Sequence, residues 1–500
     1  MAESRAYDIV IIGSGAGGGT VAQALAPMVA QGLKILVLEQ GPRLDDHEFT
    51  GREAEMAPAL YADEGGFLTA DGTMTLAMGR VYGGSTVVYT GTSLVAPERV
   101  IRSWCVPGLE HADLERRCEQ FMAANHVHFL PRVLLNENNK RFFTGAHRCG
   151  YKPEQFPVNL RGCKGSSLCN LGCPNGAKMG THRVQLPDAE RQGVEVVTRA
   201  EVLRLDERAV HVRVTDRPDG GKGRHSEWAP GEYHLSARLV VSCGGSIGTS
   251  ALLLRSPVTA GIPGLGEGFT CHPALILVGE HDRPITNDVG HPKSYFVDRA
   301  VAEGFVLETC MYFPFVTAKN LTSFGPEHSA LMQAFPRLQM ILVLACDKAV
   351  KENRITVDNA GKAVVHYTFT PAVRRSLVAA TRASARIFFA AGAQRVHSPL
   401  SEPTLIERGD AYRMDDLIRE DHFLPGRVSI AAAHLMGGCA MGTGTRAVTD
   451  ARGRVRGVPW LRVADSSLFP DSLEINPYLT IMALADRVAE GIRQDWAALS

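Results

Sequence analysis

Two short stretches near the carboxyl end of the chain contain the side chains best suited to proton transfer. His434 begins the sequence HLMGGCAMG, and Asn476 begins the sequence NPYLTIMALA. Histidine titrates close to neutral pH and is the usual side chain for taking a proton from a hydroxyl group. An amide beside it could donate a hydrogen bond to the same oxygen or accept one from it. Asn476 also fits an N-cap, because Pro477 would suit the first position of a following helix.

Three cysteines form a second group of reactive side chains. Cys163, Cys169 and Cys173 follow the arrangement C-x5-C-x3-C and are followed directly by a proline. Thiolates at such short spacing suit the ligation of an iron–sulfur cluster. Zinc would need a fourth ligand, for which His182 is a candidate. A loop that covers a cofactor without binding any metal is the third interpretation.

The elements that must position these groups begin at the amino terminus. The apolar run 7–12 predicts a buried parallel strand, residues 19–30 predict a helix, and residues 33–38 predict a second buried strand. The sequence GSGAGG between the first strand and the helix matches G-x-G-x-x-G, and Glu39 follows the second strand. This order of elements is the dinucleotide-binding fingerprint in its required context.

Each part of the fingerprint has a physical role. Gly13 permits the tight turn, Gly15 lets the backbone approach a pyrophosphate, and Gly18 lets the helix pack closely on the strand. The helix N-terminus presents free N–H groups and a partial positive charge to the phosphates. Glu39 would accept hydrogen bonds from a ribose hydroxyl and would repel a 2′-phosphate, which argues against NADP. The fingerprint therefore predicts an ADP moiety and leaves FAD and NAD open.

Two later glycine-rich stretches extend this prediction. Residues 79–86, GRVYGGST, would let the backbone lie close to a flat ligand, and a plain turn is the alternative. The predicted strand 235–242 runs into the sequence CGGSIGTS and then a helix. This second strand–glycine–helix element indicates that the nucleotide-binding domain resumes after an insertion.

Length and composition narrow the class of protein. A chain of 500 residues favours two domains, and 45% hydrophobic with 21% charged residues is typical of a globular protein. The formal net charge is zero, which argues against nucleic acid and anionic membranes as partners. No apolar run is long enough to span a membrane, and the first strand leaves no room for a signal peptide. We therefore expect a cytoplasmic protein whose cysteines are mostly reduced.

Four stretches, in a fixed order, resemble the glucose–methanol–choline (GMC) family of flavoprotein oxidoreductases over nearly the whole chain. They are the fingerprint with Glu39, the loop 79–86, the stretch 240–254, and the carboxyl-terminal sequences around His434, Asp465 and Asn476. The forms H-x-x-G-G-C and N-P-x-x-T-I-x-A-L-A look closest to the bacterial cholesterol oxidase branch. The resemblance implies that the cofactor is FAD rather than NAD.

The resemblance also implies roles for individual residues. His434 and Asn476 match the two catalytic positions, with His434 as the general base for hydride transfer from an alcohol carbon to flavin N5. His272 matches a family loop, and we assign it a structural role. No histidine lies among residues 87–89, so we expect FAD to be bound non-covalently. The expected cofactor contacts are Gly13, Gly15, Ala16, Gly18, Glu39, Gly79, Gly83, Gly84, Ser85, Val202, Asp465, Asn476 and Pro477.

The cysteine spacing resembles that of the bacterial FAD-dependent glucose dehydrogenase catalytic subunits, in which it holds a three-iron cluster. A 3Fe-4S cluster needs three thiolates, and Cys163, Cys169 and Cys173 would supply them. With a cluster, electrons would leave the flavin one at a time toward a carrier. Without one, direct reaction with oxygen is favoured.

We expect an α/β fold in which a Rossmann-like FAD-binding domain of the GMC type carries an α+β substrate domain built on an antiparallel sheet. The FAD-binding domain is predicted to be discontinuous, comprising residues 1–100, 190–280 and 428–500. Residues 281–427 would form the substrate-binding domain. Residues 101–189 would form a connecting and covering segment that holds the cysteines.

The predicted function is that of a FAD-dependent alcohol dehydrogenase or oxidase, which gives an aldehyde or ketone. The apolar stretches 312–316 and 338–344, within runs predicted as strands over 305–315 and 339–345, favour a bulky hydrophobic alcohol. A sterol, a terpenoid, an aromatic alcohol or a long-chain alcohol would fit. A sugar or polyol dehydrogenase that uses an iron–sulfur cluster is one alternative, and a non-catalytic flavin electron-relay protein is the other.

Overall fold

The computed structural model describes residues 3–218 and 221–498. In chain order the strands are β1 (Glu3–Ile12), β2 (Ile35–Leu38), β3 (Met74–Leu76), β4 (Val127–His128), β5 (Glu154–Gln155), β6 (Val158–Asn159), β7 (Glu195–Val197), β8 (Ala200–Asp206), β9 (Ala209–Val214), β10 (Gly231–Ser242), β11 (Ala274–Glu280), β12 (Tyr295–Arg299), β13 (Phe305–Thr309), β14 (Leu338–Ala345), β15 (Arg354–Val357), β16 (Ala363–His366), β17 (Arg395–His397), β18 (Leu405–Glu407), β19 (Ile430–Ala432) and β20 (Leu461–Val463).

The α-helices, also in chain order, are α1 (Ala16–Leu25), α2 (Glu53–Leu60), α3 (Glu98–Ser103), α4 (His111–Ala124), α5 (Glu137–Arg148), α6 (Gln185–Arg191), α7 (Gly245–Leu254), α8 (Ala300–Glu303), α9 (Pro314–Asn320), α10 (Gly325–Gln333), α11 (Pro371–Ala390), α12 (Met414–Leu417) and α13 (Tyr478–Asp495). Among the residues described, no helix is both long and apolar enough to cross a bilayer.

The first sheet has the strand order β7-β2-β1-β10-β9-β8, and β20 pairs with the carboxyl-terminal part of β10. Strands β1, β2, β7, β10 and β20 run parallel to one another, with Ile9 opposite both Leu239 and Ile35, whereas β9 is antiparallel to β10 and to β8. The apolar run 9–12 is buried, as in a parallel sheet that is covered on both faces. The carboxyl ends of β1, β10 and β20 meet at one edge, where open α/β sheets bind their ligands.

Three boundaries of the amino-terminal elements differ from the sequence prediction. Strand β1 begins at Glu3 rather than at residue 7, because its polar first half pairs with the amino-terminal half of β10. Helix α1 begins at Ala16, directly after the glycine turn, and ends at Leu25. A 3-10 turn over residues 26–31 replaces the last part of the predicted helix, since Pro27 has no N–H to continue the helical ladder.

The second sheet is mainly antiparallel, with the order β18-β17-β11-β14-β13-β12-β5, and with β19 and β3 added beside β11. Every residue of β14 is buried, because its two faces pack into two different apolar clusters. The strand predicted over 305–315 ends at Thr309, since Pro314 opens helix α9. Strands β3, β11 and β19 come from segments predicted for the FAD-binding domain, and the domain limits stay a prediction.

A buried charge cluster holds the last helix in place. The Arg117 side chain, on α4, is only 5% exposed and bonds to carboxylates of Asp113, Asp486 and Glu490. Asp486 and Glu490 lie on α13, so the cluster ties α4 to the helix that follows Asn476. Removing one carboxylate would leave the buried Arg117 charge partly uncompensated, which is unfavourable. The cluster therefore favours this one position of α13 against α4.

Candidate active site

The two predicted catalytic side chains are in direct contact. His434 lies in the loop after β19, and its Nε2 is 3.1 Å from Nδ2 of Asn476, which directly precedes α13. The N-cap of α13 is Pro477 rather than Asn476, so the amide of Asn476 is free to face the histidine. Burial lowers the pKa of His434 well below its usual value, and the neighbouring His272 and Lys293 add to this effect.

His272 is part of the same site, although the sequence pointed only to a structural role for it. Nδ1 of His272 lies 3.0 Å from Nδ1 of His434. His272 is buried, and burial lowers its pKa to about 4. His272 directly precedes β11, and His434 follows β19, which pairs antiparallel with β11, so the strand pairing brings the two histidines together. No local sequence pattern indicates this pairing.

Lys293 lies close enough to His434 to lower its pKa, and forms a buried ion pair with Glu308 on β13. Both side chains are less than 10% exposed. The carboxylate of Glu308 stabilises the buried ammonium, while the ammonium disfavours a second positive charge on His434. No sequence motif predicted the ion pair between Lys293 and Glu308.

At the nucleotide end of the site, two of the three fingerprint glycines leave no room for a side chain. A Cβ on Gly13, whose φ is +98°, would lie 2.5 Å from the carbonyl oxygen of Cys243, and a Cβ on Gly18 would lie 1.8 Å from that of Gly13. A Cβ on Gly15 would meet nothing nearer than 3.9 Å, where it faces Gly84. Gly13 and Gly18 thus serve packing, whereas Gly15 lies at the open face where a phosphate could approach, next to Ala16 at the start of α1.

The Glu39 carboxylate is connected to both glycine loops by hydrogen bonds that run through Ser14. Its buried carboxylate accepts hydrogen bonds from Ser14 N at 3.0 Å, from Ser14 Oγ at 2.5 Å and from Gly41 N at 2.8 Å. Ser14 Oγ in turn accepts the N–H of Gly83 at 2.9 Å, which fixes the second loop against the first. Burial raises the pKa of Glu39 above its usual value.

The other predicted cofactor contacts divide into two groups. Asp465 accepts bonds from Gly245 N at 2.9 Å and from Ser467 N at 2.8 Å. It therefore links the stretch 240–254 to the carboxyl-terminal stretch in which Asp465 lies. Ser85 Oγ accepts the N–H of Gly79 and shapes the second glycine loop. Val202 lies instead on β8, where its carbonyl accepts a bond from the Arg255 guanidinium.

The residues around these loops fit a bound dinucleotide. The edge of the sheet supplies the N-terminus of α1, two glycine loops and a buried carboxylate at its base. Arg80 Nε and His182 Nδ1, both at the second glycine loop, are buried without a hydrogen-bond partner. Buried polar atoms without partners are rare in proteins, so both atoms are candidates to contact a ligand.

The cysteine loop, residues 163–178, forms a separate feature. Cys163, Cys169 and Cys173 line one small cavity, and Cys163 Sγ and Cys173 Sγ accept N–H bonds of 3.4 and 3.3 Å from Gly165 and Ala177. Within residues 3–218 and 221–498, no three His, Cys, Asp or Glu side chains are arranged to hold a metal ion. The donor set as folded therefore does not fit an iron–sulfur cluster, and nothing here supports the predicted one.

Lys178 ties the cysteine loop to the second glycine loop. Its buried ammonium donates to the carbonyls of Val87, at 2.7 Å, and of Cys169. Burial lowers the pKa of Lys178 to about 8. His182, the candidate zinc ligand, packs against Gly83 and is not among the residues that line the cysteine cavity.

Comparison with known proteins identifies the family. GMC oxidoreductase domain models match residues 57–274 and 349–485. An uncharacterized GMC-type oxidoreductase of Mycobacterium tuberculosis is 32% identical over 97% of this chain and 75% of its own length. A long-chain-alcohol oxidase of Arabidopsis thaliana is 27% identical over 96% of this chain and 66% of its own. The chain therefore belongs to the GMC oxidoreductase family.

A solved structure shows the same fold. The crystal structure of pyridoxine 4-oxidase from Mesorbium loti superposes with a TM-score of 0.70 at 18% identity, over 98% of this chain and 99% of that one. The predicted fold, the oxidoreductase class and the FAD cofactor of the family are confirmed. The roles of single residues, the cytoplasmic location and the iron–sulfur cluster stay predictions.

Proposed function

We propose that this GMC oxidoreductase oxidises the hydroxyl group of a bulky hydrophobic alcohol to an aldehyde or ketone. The observation that carries the proposal is the contact of 3.1 Å between His434 Nε2 and the amide of Asn476. Two polar groups at that separation can hold one hydroxyl oxygen between them. FAD, when bound at the glycine loops, supplies the hydride acceptor.

The two side chains have complementary tasks. The low pKa of His434 keeps its imidazole neutral at pH 7, which is the form that accepts a proton from the hydroxyl group. The amide of Asn476 orients the same oxygen and stabilises the negative charge that develops on it. Asn476 is buried and His434 is half-buried, so water has limited access to the oxygen and each hydrogen bond has more effect than it would in solvent.

The substrate class is supported by a relative rather than by the apolar strands. Strand β14 is buried along its length and packs within the protein core, so its side chains are accounted for without a ligand. The Arabidopsis relative is a long-chain-alcohol oxidase. We therefore extend the preference for a long apolar alcohol to this chain, with oxygen or a carrier as the electron acceptor.

A panel of alcohols tests this proposal. Long-chain aliphatic alcohols, sterols and sugar alcohols are mixed anaerobically with the FAD-loaded protein, and bleaching of the oxidised flavin band is followed. We expect the aliphatic alcohols or sterols to reduce the flavin fastest. Reduction by sugars alone would favour the sugar dehydrogenase, and reduction by none would favour a non-catalytic relay protein. Reoxidation with oxygen and with a dye then identifies the acceptor.

The second candidate function is a sugar or polyol dehydrogenase that passes electrons to a carrier. The observation that favours it is that Cys163, Cys169 and Cys173 line the same cavity. Because the donors as folded do not fit a metal, we derive no step through a cluster. Iron and acid-labile sulfide in anaerobically purified protein decide the matter, since three irons per chain would establish the cluster and their absence would exclude it.

A further inference from the structure

The cysteine loop borders a surface that the proposed function leaves unused. His291 N donates to the Leu134 carbonyl at 2.6 Å, and Gly290 N donates to the Gly165 carbonyl at 2.7 Å. The segment 286–291 therefore lies between the cysteine loop and the chain that leads into α5. We call the surface formed by these three segments the loop rim, and it comprises Phe129, Arg132, Val133, Arg161, Lys164 and Val289.

The loop rim exposes large apolar side chains. Val133 is 84% exposed, Val289 is 62% exposed and Phe129 is 61% exposed. Val133 directly precedes Leu134, and Val289 directly precedes Gly290, so the two valines lie next to backbone hydrogen bonds that join the segments. Apolar side chains grouped on the surface and flanked by polar residues are typical of sites where another protein binds.

The same surface carries cations that lack carboxylate partners. Arg161 and Lys164 are exposed, and within the part of the chain that the structure describes neither side chain forms a hydrogen bond or an ion pair. Arg132 bonds to the hydroxyl of Tyr295 rather than to a carboxylate. The chain as a whole has no net charge, so this excess of positive charge is local. Such a surface attracts a negatively charged partner and speeds its approach.

A small cavity connects the loop rim to the second glycine loop. Lys164, Lys178 and His291 all line this cavity, together with the three cysteines. The Lys178 ammonium donates to the Val87 carbonyl at 2.7 Å, and His291 Nε2 donates to the Thr90 carbonyl at 3.0 Å. Both carbonyls belong to the stretch that continues the second glycine loop. A partner on the loop rim would therefore approach the glycine loop through the side chains of this one cavity.

We propose that the loop rim is the docking surface for an acidic redox protein that accepts the electrons of the reduced enzyme. This inference rests on the proposed function, which leaves oxygen and a carrier open as acceptors. The exposed apolar side chains would form the centre of the contact, and the cations would pair with carboxylates of the partner. For each reduced FAD that is reoxidised, two one-electron acceptors are reduced and the protons pass to solvent.

Cytochrome c in two forms of opposite charge tests the docking surface. The native protein is basic, and succinylation converts its lysine ammonium groups into carboxylates. FAD-loaded enzyme is reduced with one equivalent of dithionite and is then mixed anaerobically with each form. We expect the succinylated form to be reduced about tenfold faster at low salt, and we expect this preference to disappear at about 0.5 M salt because ions screen it. Equal rates at low salt, or a preference for the native form, would overturn the proposal.

A double variant assigns the effect to the loop rim. Arg161→Glu combined with Lys164→Glu should reverse the preference, so that native cytochrome c is reduced faster. Because both side chains are exposed, the variant should keep its fold and its FAD content. Arg375→Glu, at an exposed arginine of α11, is the control and should keep the wild-type preference. An unchanged preference in the double variant would overturn the proposal.

A redox-inert anion maps the same surface without electron transfer. Hexacyanochromate(III) is paramagnetic and broadens the NMR signals of methyl groups close to it. In FAD-loaded protein with labelled valine methyl groups, we expect broadening at Val133 and Val289. Val301, which is 77% exposed on α8, is the matched control and should stay sharp. Equal broadening of all three valines, or none at Val133 and Val289, would overturn the proposal.

Failure of the proposed function is separable from these results. A wild-type enzyme whose flavin no alcohol reduces would refute the proposed function, whereas dithionite still supplies electrons to the cytochromes and the anion needs none. Reduction of neither cytochrome, together with rapid reoxidation by oxygen, would overturn the docking surface and leave the proposed function intact.

Discussion

The histidine site, formed by His434, His272 and Asn476, is assembled differently from the cysteine loop. His434 bonds to partners that lie 162 and 42 residues away in the sequence. In the cysteine loop, Cys163 and Cys173 accept N–H bonds from residues two and four positions away. The first site exists only when the two sheets and the last helix come together, whereas the hydrogen bonds to the sulfurs of Cys163 and Cys173 are local.

Burial acts on both regions in the same way and has opposite chemical consequences. It lowers the pKa of His434 and raises that of Cys169 to about 11, because in each case the charged form loses hydration. The neutral imidazole is the form that accepts a proton. The neutral thiol is the unreactive form, since thiolates are the nucleophiles and metal ligands. Loss of hydration thus favours the proton-accepting form of His434 and the unreactive form of Cys169.

The largest expected effect comes from removing the histidine. His434→Ala should still bind FAD, because the His434 side chain bonds to His272 and Asn476 rather than to the glycine loops, but flavin reduction by the alcohol should slow by about 10²–10⁴-fold. Stopped-flow bleaching under anaerobic conditions measures this rate. His366→Ala, at a histidine of β16 bonded to Thr356, is the matched control and should reduce normally. Wild-type turnover in His434→Ala would remove the histidine site from the mechanism.

A smaller loss is expected at the amide. Asn476→Ala removes one of two groups that hold the hydroxyl oxygen and should slow flavin reduction by about tenfold to a hundredfold. Asn476→His keeps a hydrogen-bonding group at this position and should recover part of the lost rate. If Asn476→Ala instead lowered the melting temperature and left the rate unchanged, its role would be to stabilise the fold.

The cysteine loop provides the contrasting case. The triple variant Cys163→Ser, Cys169→Ser, Cys173→Ser should change the rate of flavin reduction by less than about threefold, which is under one kcal/mol of activation energy. The reason is that the sulfurs of Cys163 and Cys173 bond to N–H groups of the loop itself, whereas the link to the second glycine loop is made by the Lys178 ammonium. A loss as large as that of His434→Ala would show that the two regions are coupled.

The parts of the molecule that could be predicted are those whose signal is local. The close approach of backbone at Gly13 and Gly18 follows from a strand, a turn and a helix that are adjacent in the sequence. The contact between His434 and Asn476 was expected because each begins a distinctive motif.

The contacts that escaped prediction join distant segments through side chains. No pattern around His272 indicates that its ring meets one 162 residues away. The polar first half of β1 gave no strand signal either, because its partner is the distant β10. In both cases the determining interaction is with a part of the chain that the local sequence does not describe.

The smallest expected effect is an absence of pH dependence on the acid side. The groups that face His434 are His272, Lys293 and Asn476, and burial together with the first two lowers the pKa of His434. A lowered pKa means that the neutral, proton-accepting form persists as the pH falls. We expect kcat/KM to stay flat from pH 8 down to about pH 6, whereas an ordinary histidine would lose half of its activity near pH 6.5. A half-maximal value near pH 6.5, with FAD still bound, would show that His434 is not desolvated in the working enzyme.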